Sequence, residues 1–181
     1  SNTMSPDFQI ISSRLVLKLI EPDQTQTLCH AIQHSPSLHQ WVDWCRADFS
    51  AKEAERFLLA TRLNWVKGEA YGFGVFRRSD DQLLGMVAIN EMYHTFNMVS
   101  LGYWIADAHQ GNGYGSEALQ ALIHFCFEKL KVTRVEIVCD PANLPSQKLA
   151  LACGAQYEVT ATNRYVFNNQ PRDGMVFSVL P

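Results

Sequence analysis

The chain has 181 residues and a formal net charge of -3, and 47% of its residues are hydrophobic. That length suits one domain with a sizeable core, read as residues 4–181. The near-neutral charge, without a basic run, excludes the usual look of a nucleic-acid or membrane-surface protein.

In chain order, Leu15, Leu17 and Leu19 alternate with Arg14, Val16 and Lys18, the period of a strand within 9–20. Pro22-Asp23 ends it and starts a helix to about residue 34. Residues 35–50 carry Pro36, Trp41, Trp44 and Phe49 and read as a short helix with a loop. Ser50 with Glu53 forms a capping box for a helix over 51–67, closed by Gly68. Strands are expected at 70–77 and 83–91, joined by a turn at Ser79-Asp80-Asp81, and an alternating strand at Val99, Leu101, Tyr103 and Ile105. A glycine loop follows. Ala118, Leu119, Leu122, Phe125 and Cys126 then recur with helical spacing over 115–130. A strand at 135–139, a helix at 144–153 closed by Gly154, and strands near 155–160 and 163–179 finish the chain. The pattern predicts an α+β, or mixed α/β, single sheet with helices on both faces.

The five cysteines are widely spaced, with no C-x-x-C, which fits free thiols in a reducing compartment and a cytoplasmic location, without a structural metal. Ser1-Asn2-Thr3 before Met4 reads as the remnant of an expression tag.

The segment His109-Gln110-Gly111-Asn112-Gly113-Tyr114-Gly115 lies between an expected strand and an expected helix. Such a junction aims free backbone N–H groups and the positive helix end at one spot, and glycine lets an anion approach. A phosphate or pyrophosphate is its natural ligand. The spacing Gly111-x-Gly113-x-Gly115 does not match a dinucleotide fingerprint, and no lysine occurs between Lys67 and Lys129 to complete a P-loop. Alone, the loop could equally be a glycine-rich turn without a ligand.

Four segments together resemble the GCN5-related N-acetyltransferase superfamily, in particular its RimJ/RimL branch, which acetylates ribosomal-protein N-termini. They are Ser13-Arg14-Leu15-Val16-Leu17 with Glu21-Pro22-Asp23, Gln82 through Val87, Leu101 through Gly115, and Asn143-x-x-Ser146 with Ala152-Cys153-Gly154-Ala155. The resemblance implies a twisted, mostly antiparallel sheet of about seven strands whose central strands splay into a slot for the pantetheine arm of acetyl-coenzyme A. It implies pantetheine on the backbone of Trp104, Ile105 and Ala106, and pyrophosphate on Gln110, Gly111, Asn112, Gly113, Tyr114, Gly115 and Ser116. Asn143 would touch the pantetheine or hold the strand end. Ser146 would stand near the thioester sulfur as the proton donor, with Leu149 where many relatives carry a tyrosine. Members are often dimers, so a homodimer is the expectation carried over.

An amine must be neutral to attack. At pH 7 an α-amine costs roughly 1 kcal/mol to deprotonate and a lysine roughly 4.6 kcal/mol, so a weak base suits an N-terminus. Glu91, at the end of a central strand, is a candidate base, with a solvated carboxylate as its bland alternative. The place where some serine N-terminal acetyltransferases of this branch carry a glutamate is Tyr165 here, a departure that leaves the acceptor open. Trp41, Trp44, Tyr71 and Tyr93 could line the acceptor side, or belong to the core. Three functions follow in order: a protein N-terminal acetyltransferase, a small-amine acetyltransferase, and a non-catalytic acyl-coenzyme A binding module.

Overall fold

A computed structural model describes residues 4–181; the expected tag remnant at residues 1–3 lies outside the described residues. Eight strands form one sheet in the order β1-β2-β3-β4-β5-β6-β8-β7. They are β1 (Ile10–Ile11), β2 (Leu15–Lys18), β3 (Tyr71–Arg77), β4 (Leu83–Tyr93), β5 (Met98–Ile105), β6 (Arg134–Cys139), β7 (Gln156–Phe167) and β8 (Gln170–Val179). Every neighbouring pair is antiparallel except β5 and β6. Among the described residues the α-helices are α1 (Thr25–Gln33), α2 (Pro36–His39), α3 (Ala51–Lys67), α4 (Tyr114–Glu128) and α5 (Leu144–Ala152). Among the described residues no helix is long and apolar enough to cross a membrane.

Strand alternation sends side chains to opposite faces, and two apolar clusters result. On one face Leu15, Leu17, Phe73, Val75 and Ile89 meet Leu119 and Leu122 of α4 and Ala150 of α5. On the other, Phe76, Met86 and Trp104 meet Leu28 and Ile32 of α1, Leu38 of α2 and Leu58 of α3. Helices therefore cover both faces, as expected. Half of the expected capping box forms: Ser50 Oγ accepts from the Glu53 N–H at 3.1 Å, while the Glu53 carboxylate accepts from Arg46 Nη2 at 3.0 Å.

Two sequence boundaries move. The single strand expected at 9–20 is a short hairpin, with β1 folded back on β2; β1 is also the eighth strand, beyond the seven expected. The break expected near 161–162 is a bulge between Ala161 and Tyr165 within one long β7. The true turn is Asn168-Asn169, both at positive φ (50° and 63°), as in a two-residue I′ hairpin. Asparagine tolerates that region, but without glycine it is a faint turn signal.

Candidate active site

The site follows from an incomplete strand pairing. β5 runs from Met98 to Ile105, but only Met98–Leu101 pair with Arg134–Ile137 of β6. Beyond Leu101 the strands part, and a cleft of about 860 Å³ opens between them. This is the splayed slot expected from the resemblance.

Alternation along β5 decides which backbone groups face the slot. The Ala106 N–H donates to Leu84 O of β4 at 2.8 Å. Trp104, two residues earlier and opposite Met86, turns its backbone the same way. The expectation that Trp104 and Ala106 offer their backbone to pantetheine is therefore corrected. The slot-facing groups belong to Tyr103 and Ile105, while the Trp104 side chain, 7% exposed, packs in the core. Of the expected trio, only Ile105 turns its backbone groups to the slot, although Trp104 also lines the cleft.

The glycine loop stands at the slot's end. Gly111 and Gly113 have φ of 83° and 78°, left-handed values that point the chain into α4. The first helical bond at this end is Glu117 N–H to Gly113 O, so the N–H groups of Tyr114, Gly115 and Ser116 have no intrahelical acceptor. These donors, with the helix dipole, form an anion cradle. The predicted polar side chains serve the loop itself. Gln110 Nε2 donates to Ile105 O at 2.9 Å, and Asn112 Nδ2 to His109 O at 3.2 Å. Ser116 Oγ accepts from Gln120 Nε2 at 2.9 Å. Burial, then the Arg77 charge, lowers the pKa of His109 beside the loop.

Arg14 is the residue that sequence reasoning missed here. Its Nε donates to Glu117 Oε1 at 2.7 Å, its Nη1 donates to Asn112 O at 2.9 Å, and its guanidinium lies over the Tyr114 ring. Ser12 Oγ donates to the same Glu117 carboxylate at 2.6 Å. The turn between β1 and β2 thus clamps the loop and brings a cation to it. Glu117, four residues beyond Gly113 and in the first turn of α4, was the available clue.

Across the slot, Asn143 caps α5, its Oδ1 accepting from the Ser146 N–H at 3.3 Å. That frees Ser146 Oγ from capping duty. It lies 2.9 Å from the Tyr103 hydroxyl and 3.3 Å from Cys139 Sγ, and all three residues line the cleft. Burial raises the pKa of both Tyr103 and Cys139, keeping them protonated. Among the described residues no group of three or more His, Cys, Asp or Glu is arranged to hold a metal ion.

On the side expected for the acceptor, Glu91 lies beyond a bulge in β4, is exposed, lines the cleft and accepts from the Tyr93 hydroxyl. β4 continues to Tyr93, so Glu91 is not the strand end. Tyr165 also lines the cleft, but it donates to the Asp140 carboxylate, and burial followed by that bond pushes its pKa up to about 12. It stands here as a donor, so the position where some relatives carry a glutamate offers no carboxylate in this chain. Glu158 faces away and is held by Arg134 at 2.6 Å. Trp41 and Trp44 line the cleft, Trp44 stacked on Phe57 at 4.3 Å. Tyr71 and Tyr93 do not: Tyr71 is 2% exposed and packed edge-on against Trp65, so its place is the core, and Tyr93 reaches the cleft only through its bond to Glu91.

Known proteins share this sequence pattern and fold. Residues 14–156 match the family described as an acetyltransferase (GNAT) domain. A solved structure from Vibrio cholerae, described as a candidate ribosomal-protein-serine acetyltransferase, is 61% identical, covers 98% of this chain and 100% of its own, and superposes with a TM-score of 0.93. The ribosomal-protein-serine acetyltransferase of Escherichia coli is 28% identical over 145 residues, 80% of each chain. Microcin C7 self-immunity acetyltransferase, solved with acetyl-CoA and AMP, shares the fold at 20% identity and a TM-score of 0.87, covering 99% of both chains. A further curated relative, described as a candidate N-acetyltransferase of Bacillus subtilis, is matched over 64% of its length at 31% identity.

Proposed function

The chain belongs to the GNAT acetyltransferase family, and from that premise we propose that it moves an acetyl group from acetyl-coenzyme A to the α-amine of a protein N-terminus, of the kind that begins with serine or alanine. The observation that carries the acceptor is the 61% identity, over the full length of the other chain, to the Vibrio cholerae protein.

The donor half rests on geometry. The N–H groups of the loop suit two adjacent phosphates, and the edge of β5 that β6 leaves unpaired, at Tyr103 and the Ile105 N–H, suits the amide-bearing pantetheine arm. Acetyl-coenzyme A supplies an activated acyl group as a thioester. The chain's own residues do the rest: the loop and β5 fix that group, Ser146 holds a proton beside the sulfur's place, and Glu91 accepts the amine's proton directly or through water. An α-amine matches a base as exposed as Glu91, because its deprotonation costs only about 1 kcal/mol at pH 7. The free thiols Cys29, Cys45, Cys126, Cys139 and Cys153 fit action in the reducing cytoplasm.

The test is thiol release from acetyl-coenzyme A with purified protein and two acceptor sets: peptides with free Ser, Ala or Met N-termini, and small amines including polyamines. The expected result is at least about tenfold higher kcat/KM on Ser or Ala peptides, a preference of about 1.4 kcal/mol. Turnover on small amines alone replaces the protein acceptor with the second reading, for which the aromatic wall of Trp41 and Trp44 would be the recognition surface.

A further inference from the structure

Resting on the reading of Ser146 as proton donor, we propose that Tyr103 is its positioning residue: it holds the serine Oγ in one rotamer beside the slot and donates to that oxygen when the proton leaves.

The argument is a count of protons. The Tyr103 hydroxyl has one hydrogen, and it donates to the Ser146 carbonyl oxygen at 2.8 Å. With that hydrogen committed, the 2.9 Å contact between the two hydroxyls has Ser146 as donor and Tyr103 as acceptor. Cys139 Sγ, 3.3 Å from Ser146 Oγ on its other side, supplies a weak donor. A tyrosine from β5, a cysteine from β6 and a serine from the first turn of α5 thus converge where β5 and β6 part. Two bonds from one phenol to one residue, to its backbone and to its side chain, leave the serine few orientations.

The same geometry permits a reversal without heavy-atom movement. The amine nitrogen bonds to the thioester carbonyl carbon, the carbon–sulfur bond breaks, and its electron pair leaves on sulfur. Ser146 Oγ–H gives its proton to that thiolate. The Tyr103 hydrogen then turns from the Ser146 carbonyl to the serine oxygen and stabilises the charge left there. A water proton restores the serine after coenzyme A departs, and the amine's extra proton leaves through Glu91 or water.

Tyr103→Phe keeps the ring and removes only the hydroxyl. With serine-labelled protein free of ligand, coupling constants report the Ser146 χ1 rotamer. One rotamer in the wild type and averaging in Tyr103→Phe are expected; one rotamer in both overturns the proposal. In kinetics, Tyr103→Phe should lower kcat about 10²-fold, the usual weight of a general acid, with KM for acetyl-coenzyme A nearly unchanged. Ser146→Ala should match it, and the double variant should lose little more. With an acetyl thioester of a less basic thiol, which needs less protonation on leaving, both losses should shrink. A Tyr103→Phe loss that ignores the leaving group, or that adds in full to Ser146→Ala, shows a merely structural tyrosine. If Ser146→Ala turns over normally, the serine-acid reading fails, while the rotamer result still reports on the pairing itself.

Discussion

At the scale of single residues, Gly113 and Gly115 sit two apart in one loop and have different reasons to be glycine. Gly113, at φ 78°, is open apart from Arg14 Nη2, 3.4 Å from where a Cβ would stand. Aspartate tolerates that backbone, so Gly113→Asp should fold and fail by charge. A carboxylate about 5 Å from a phosphate costs roughly 1–3 kcal/mol at effective dielectrics between water and protein, or about ten- to hundredfold in acetyl-coenzyme A affinity. Calorimetry checks this, with Gly113→Asn as the uncharged control that should lose much less. At Gly115 a Cβ would lie 3.2 Å from Leu149 Cδ2 and 3.4 Å from Ile105 Cγ1, so α4, α5 and β5 meet there. Gly115→Val should lower stability by about 1–3 kcal/mol in urea unfolding, the cost of overpacking. The sequence showed both glycines as a loop for an anion. It could not show that one serves packing, since Leu149 and Ile105 reach Gly115 only through the fold.

At the scale of elements, most boundaries were legible because local chemistry set them: Ser50 and Gly68 bracket α3, and period two marks β5. What escaped were features set by pairing. The backbone direction at Trp104 and Ala106 depends on the register with β4, and Tyr71 points inward because of Trp65. Arg134, Glu136 and Arg164 form another such feature, with Glu158 of β7 tied to Arg134 of β6 and to Ser178 of β8. The Arg134 guanidinium, then the Ser178 hydroxyl, hold the Glu158 carboxyl down at about 2 against an ordinary 4.5. A carboxylate with a depressed folded-state pKa stabilises fully above its unfolded value and loses that contribution as pH falls through the folded one. Glu158→Gln should therefore lower the urea midpoint above pH 4.5, and its deficit should close as pH approaches 2. A deficit constant across that window would show that the glutamate acts by packing alone.

For the whole molecule, the two faces of the sheet divide the work. The α4 and α5 face carries the glycine loop and Ser146, while the α1 to α3 face carries Trp44 and the wall proposed for the acceptor. Acetyl-coenzyme A would touch the cradle, β5 and α5 together, so its binding should stabilise the fold as a unit. At 100 times its dissociation constant the gain should be about 2.7 kcal/mol, and a protein of this size should melt about 5–10 °C higher. A thermal-shift titration reads this directly, and an unmoved melting curve removes the donor assignment.

The half-made pairing of β5 and β6 has one more consequence. Unpaired strand edges on a protein's border recruit foreign strands and seed aggregation. Here two such edges lie inside the sheet, where β4 and β8 hold their far sides. A neighbouring molecule cannot present a strand to them, but a thin flexible chain carrying amides can thread between. The fold thus keeps the adhesive power of a sheet edge and makes it selective by width, so that hydrogen exchange at the Tyr103 and Ile105 amides should slow when that chain is in place.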